Sequence, residues 1–180
     1  MIFTLEKTVL TVVDVQEKLA SVMHEREALV GSMQRLLRGM AALRVPVVWM
    51  EQIPEKMGVT IQEVHECLPG MKPLPKTAFS CWGEPAYKEA LRSLDRPQVV
   101  LAGIESHVCV YQTACDLVAN GYRVKVAADC VSSRTAANRQ AGIDAMRSAG
   151  AEVTTVEMIL FELMRDSTHP AFREILKIVR

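Results

Sequence analysis

Residues 98–121 read QVVLAGIESHVCVYQTACDLVANG. Gln98 to Gly103 is a short, β-rich apolar run. From Ser106 to Asn120 the apolar residues recur at helical spacing, with Ser106 as a candidate N-cap and Gly121 as a stop. A buried strand followed at once by a helix is half of a βαβ unit. The alternation continues both ways. Upstream lie a strand at Thr8 to Val13, a helix carrying Leu29, Met33, Leu36, Leu37, Met40 and Leu43, a strand at Pro46 to Met50, and a helix at Pro85 to Leu94. Downstream lie a strand at Arg123 to Ala128, a helix at Thr135 to Ala149 closed by Gly150, a strand at Glu152 to Val156, and a helical C-terminal segment. This order predicts one α/β domain over residues 1–180, a doubly wound parallel sheet flanked by helices on both faces. Residues 51–82 break the pattern. Pro54, Gly58, Pro69, Gly70, Pro73 and Pro75 read as a long irregular loop, whose Met, Ile, Phe and Trp content argues against disorder and whose length points to function.

The bulk properties narrow the function. With 49% apolar and 23% charged residues the chain has globular composition, and 180 residues suffice for a sizeable core. Twenty-one basic residues balance twenty-one acidic ones, so nucleic acid and anionic membrane are poor partners, while a neutral surface does little to oppose a homo-oligomer. The five cysteines are odd in number and none stands in CxxC spacing, which argues against a disulfide framework or zinc site and for a reducing cytoplasmic setting. The opening MIFTLEKTVLTVVDVQ lacks a basic n-region and reads as a strand rather than a signal peptide; no apolar run is long enough to span a membrane.

In an open parallel sheet, sites form at the carboxyl ends of the strands. Asp14 ends the first strand, Glu51 follows the second, Glu105 to Cys109 follow the strand at 98–103, and Asp129 to Arg134 follow the next. Lys76, in PLPKTAFSCW, sits on the long loop that leaves the same edge. Cys109 reads either as a small buried residue or as a nucleophile, since a first helical turn and a nearby lysine lower a thiol pKa. Asp14 reads as a helix cap or a general base. Lys76 reads as a solvated lysine or, among Leu74, Phe79 and Trp82, as a half-buried cation in need of an anion. His24, His65, His107 and His169 do not stand at metal-ligand spacing on one element, and His107, two residues from Cys109, does not share its helix face. Ser132 to Arg134 reads as an anion contact or a capping turn.

These residues together resemble the isochorismatase-like cysteine hydrolase superfamily. The resemblance is carried by VVDVQEKL around Asp14, PKTAFS around Lys76, GIESHVCVYQTACDLVANGY around Cys109, VAADCVSSR at 126–134 and AGAEV at 149–153, in order along nearly the whole chain. MEQIP at 50–54 and the pair His169–Pro170 look most like the group of isochorismatase domain-containing proteins. The resemblance implies a Rossmann-like fold and an Asp14–Lys76–Cys109 triad. Asp14 would accept the thiol proton, Lys76 would balance the charges, and Cys109 would attack a carbonyl. It also implies a cis peptide joining Ile104 to Glu105, which would turn the Glu105 N–H toward the same point as the Cys109 N–H and form an oxyanion hole.

Departures within the superfamily refine this. Isochorismatases proper resemble the chain but lack the nucleophilic cysteine. Nicotinamidases carry an Asp-x-His metal site where this chain has Glu51-Gln52-Ile53-Pro54. The expectation is therefore a cysteine hydrolase of a small molecule, of carboxamide type, without metal or other cofactor, with Gln16, Glu51, Phe79 and Trp82 as candidate pocket residues. The alternatives are an isochorismatase-type ether hydrolase and a non-catalytic or redox-responsive protein that keeps the fold.

Overall fold

Valine, leucine and threonine dominate the strand segments, which suits positions covered on both faces. In the computed structural model, which describes residues 2–180, six strands form: β1 (Thr8–Val13), β2 (Val47–Gln52), β3 (Leu74–Lys76), β4 (Gln98–Ile104), β5 (Arg123–Ser132) and β6 (Glu152–Thr154). They pair in the order β3-β2-β1-β4-β5-β6, and every pairing is parallel. The helices are α1 (Glu17–Ala20), α2 (Arg26–Ala42), α3 (Pro54–Met57), α4 (Gln62–His65), α5 (Pro85–Leu94), α6 (Tyr111–Ala119), α7 (Ala136–Ser148), α8 (Val156–Met164) and α9 (Phe172–Val179). One core joins α2, α8 and α9 to one sheet face through residues such as Leu10, Met33, Leu36, Trp49 and Leu160. The other joins α5, α6 and α7 to the opposite face through Val9, Met50, Tyr87, Leu101 and Ile143. The fold is a single Rossmann-like α/β domain. None of the described helices is long and apolar enough to cross a membrane.

Strand order reverses between β1 and β4, so the connections leaving their carboxyl ends diverge and open a crevice there. Gly103 lets the two strands close at that point. It pairs with Val13 at φ +130°, and a Cβ on it would lie 2.1 Å from the Val13 carbonyl oxygen.

Three expectations change. The stretch 51–82 is not one irregular loop: it holds α3, α4 and the edge strand β3, so Lys76 is a strand residue in register with Gln52. Three residues centred on Pro75 carry no alternation, and proline is tolerated at a sheet edge, where its missing donor faces outward. The helix predicted from Ser106 begins instead as one wide π-turn, Ser106–Val110, after which α6 is regular; Glu105 caps it, and Ser106 is turned inward. Strand β5 runs on to Ser132 through a bulge, since Leu101 faces Val126 but Gly103 faces Val131.

Candidate functional site

Three elements meet at the crevice. Asp14 follows β1 in a left-handed turn at φ +53°, a conformation short polar side chains accept. Lys76 ends β3, and Cys109 lies in the π-turn after β4. The Lys76 ammonium is 2.8 Å from Asp14 Oδ2, and both side chains are fully buried. Lys76 Nζ also donates to Gln52 Oε1, to the Ala78 carbonyl at 3.1 Å and to the Phe79 carbonyl at 2.9 Å. The Asp14 carboxylate receives charge from Lys76 without a well-aligned hydrogen bond, and the Cys109 thiol stands against it. Cys109 itself is only 7% exposed.

Burial pushes the Asp14 carboxyl up to about 6 against the pull of Lys76 and Cys109. Burial works against the Lys76 ammonium, but the charge of Asp14, then that of Cys109, outweighs it and raises its pKa. The expectation of a resting thiolate is corrected here. Burial first, and the adjacent Asp14 charge second, push Cys109 up to about 12, more than Lys76 draws it down. The resting group is a thiol facing a carboxylate.

The nucleophile turn is anchored on both sides. Thr113 Oγ1 donates to the Cys109 carbonyl at 2.7 Å and accepts from the Cys81 amide at 3.0 Å. Ser133 Oγ bonds Ser106 Oγ at 2.7 Å and His107 Nδ1 at 2.9 Å, so His107 is taken up by Ser133. Arg134 donates from its amide and Nε to Glu105 Oε2, and Ser132 Oγ to the His24 carbonyl. Ser133 and Arg134 thus tie down the turn, while Ser132 holds the segment at His24. The Ile104–Glu105 peptide is cis.

The remaining pocket candidates divide. Phe79 is 56% exposed, and its carbonyl accepts from Lys76. Gln16 is fully buried, its amide bonded to backbone groups of Gln52 and Gly58. Glu51 accepts from the amide and hydroxyl of Thr60. Trp82 packs edge-on against Tyr122 at 5.6 Å, and Tyr122 precedes β5 at the opposite edge of the sheet. The Trp82 ring is taken up in that contact, while its neighbour Cys81 bonds Thr113 through its amide. Sequence reasoning missed Gln52, which was weighed only as an absent metal ligand, and Cys81, a buried thiol whose pKa burial pushes up to about 12 and which feels the Asp14 and Lys76 charges. Their signal was weak: one polar residue closing an apolar strand, one cysteine in a proline-rich stretch. Among the described residues no three His, Cys, Asp or Glu side chains gather to hold a metal ion.

The Isochorismatase domain model matches residues 8–158. Isochorismatase domain-containing protein 2 of Danio rerio is 36% identical over 173 residues, covering 96% of this chain and 86% of its own length. Isochorismatase domain-containing protein 1 of Salmo salar is 40% identical over 175 residues, 96% of this chain; the chain spans 61% of that longer relative. Among solved structures, MAR1 ribonuclease from Caenorhabditis elegans superposes with a TM-score of 0.93 at 34% identity, covering 99% of this chain and 92% of its own. With the family model matched over most of the chain and relatives this similar along it, the chain belongs to the isochorismatase-like hydrolase family.

Proposed function

We propose that the chain is a metal-independent cysteine hydrolase of a small carboxamide-type molecule, acting through an acyl-enzyme on Cys109. The observation that carries this reading is the buried Asp14–Lys76 ion pair against the Cys109 thiol. Attack on a carbonyl requires the thiol proton to leave as sulfur bonds to carbon. Asp14 is the nearest acceptor, with a pKa of about 6, close to where a general base works best at neutral pH. Moving the proton from Cys109 to Asp14 leaves the buried site's total charge unchanged, with Lys76 now facing the sulfur. The transfer therefore adds no net charge to the buried site, and the Lys76 charge offsets part of the rise that burial imposes on the sulfur.

The tetrahedral oxyanion is assigned to the backbone N–H groups of Glu105 and Cys109. Breaking the C–N bond expels the amine, which takes its proton from Asp14. Water then attacks the thioester with Asp14 again as base, restoring the thiol. Exposed Phe79, whose carbonyl Lys76 holds, is assigned to the substrate's path. The similarity to a ribonuclease makes RNA the rival substrate. Balanced charge and a nucleophile only 7% exposed favour a small molecule over a polyanionic chain. The five free thiols fit a reducing cytoplasm, and the more than half-exposed Ile2, Val22 and Met158 fit a homo-oligomer.

The test is a panel of small primary amides and a single-stranded RNA, assayed with the wild type and with Cys109→Ala. The expected outcome is release of ammonia or amine from at least one amide, a mass increase on Cys109 equal to the acyl group, and loss of both in the variant. Cleavage of RNA alone, or amide hydrolysis undiminished in Cys109→Ala, would reject the reading.

A further inference from the structure

Alternation along β2 places Gln52 and Glu51 on opposite faces of the sheet. Gln52 faces Lys76 and the triad, whereas Glu51 points the other way, beside Trp49, whose ring belongs to the core under α2 and α8. On that second face lies a cleft of about 360 Å³, walled by Glu17, Trp49, Glu51, Val59, Thr60 and His65, among others. Its volume suits a small ligand.

The centre of the cleft is built. Trp49 Nε1 donates to Thr60 Oγ1 at 2.7 Å, and the Thr60 hydroxyl and amide donate to Glu51 Oε1 at 2.8 and 2.7 Å. These bonds hold a carboxylate that is only 5% exposed in one orientation. Its second oxygen, Oε2, makes no hydrogen bond to any described residue, yet it is not sealed from the surface, and the cleft is the space it opens on. A carboxylate this buried, with one oxygen unbonded, suits a cationic partner, and no lysine or arginine lines the cleft. Exposed Glu17 adds a second negative charge at the rim, and His65 packs against Trp49 at a tilt of 58° with ring centroids 5.6 Å apart, giving an aromatic wall. Val59, 58% exposed, supplies apolar surface opposite. Glu17, Glu51 and His65 do not gather closely enough to ligate a metal ion, which leaves an organic cation as the matching chemistry.

We propose that this cleft is a second small-molecule site, behind the sheet from the triad, that binds an organic ammonium ion with its charge on Glu51 Oε2 and its apolar body between the His65–Trp49 wall and Val59. Aromatic faces and a desolvated carboxylate both favour such a cation over a neutral molecule of the same shape.

Benzylamine, a cation at pH 7, and benzyl alcohol, its neutral counterpart, are the probes. The readout is the indole N–H signal of Trp49 in a proton–nitrogen NMR spectrum, assigned with Trp82→Phe, since the chain has two tryptophans. The expected result is a saturable shift with benzylamine and binding at least about tenfold weaker for benzyl alcohol, roughly 1.4 kcal/mol. Glu51→Gln, which keeps the acceptor that Thr60 uses, should weaken benzylamine by at least about tenfold as well. Should that variant not fold, Glu17→Gln at the exposed rim carries the test, with an expected loss of about threefold. No saturable shift, equal binding of the two probes, or undiminished binding in a folded Glu51→Gln variant would overturn the proposal, as would unchanged binding in Glu17→Gln where that variant carries the test.

Discussion

Asp14 is the residue on which the proposed chemistry turns, and its charge state sets a pH window. Its carboxyl holds a proton up to about 6 in the folded chain, where an ordinary aspartate loses it near 3.8. Ionisation is needed for it to take the Cys109 proton, so kcat/KM should fall as pH drops through about 6 and level off above it. For stability the sign is opposite. The folded state binds this proton more tightly than the unfolded state, so the group's stabilising contribution is fully present below about 3.8 and is lost as pH rises through about 6. Asp14→Asn should remove the base, lowering kcat by about 10²–10⁴-fold, and should abolish the inflection near 6 in both the pH–rate profile and the thermal midpoint. A wild-type profile flat from pH 5 to 7, with Asp14→Asn fully active, would show that the carboxylate serves the fold alone. At this scale the sequence was informative but ambiguous. Asp14, Lys76 and Cys109 each carried a bland reading as strong as the chemical one, because burial and mutual distance are not properties of a single position.

At the scale of elements, the nucleophile turn is held by close packing of α7 as well as by hydrogen bonds. A Cβ on Gly142 would lie 2.6 Å from the Ser106 carbonyl carbon and the His107 amide nitrogen. Glycine inside a helix ordinarily costs about 1 kcal/mol relative to alanine, so Gly142→Ala would be expected to stabilise an isolated α7 by that amount. In this fold the sign should reverse. The added methyl meets backbone of the turn that carries Cys109, and the variant should be less stable by about 1–3 kcal/mol in urea unfolding, with a loss of activity exceeding the loss of folded protein. A gain in stability would mean that α7 can move away without disturbing the turn. The Ala141–Gly142 pair was legible in the sequence as part of a helix. Its reason was not, since the partner lies about 35 residues earlier along the chain.

For the whole molecule, the net charge of zero removes long-range self-repulsion, and the half-exposed apolar residues are spread from Ile2 to Met158. The oligomer proposed above predicts a particle mass by light scattering that is an integral multiple, two or greater, of the 20.0 kDa chain. Charged replacements at Val22 and Met158 should reduce it. A 20.0 kDa particle at all concentrations tested would refute self-association.

What the sequence by itself determined is the alternation of buried strands and amphipathic helices, and with it the parallel sheet and the edge at which polar residues gather. Those follow from local periodicity and from capping residues, which need no distant partner to be read. Edge strand β3 was not legible, because three residues centred on Pro75 carry no periodicity, and their strand character comes only from pairing with β2. Tertiary structure alone decided the state of the site. It placed Lys76 2.8 Å from Asp14 out of water, turned His107 to Ser133, packed Trp82 against Tyr122, and raised the Cys109 thiol pKa where the helix start and lysine had suggested a lowered one. The physical reason is common to all four. Desolvation and Coulomb energy depend on which segments the fold brings within a few ångströms, and residues 14, 76 and 109 are joined only by the closing of the sheet.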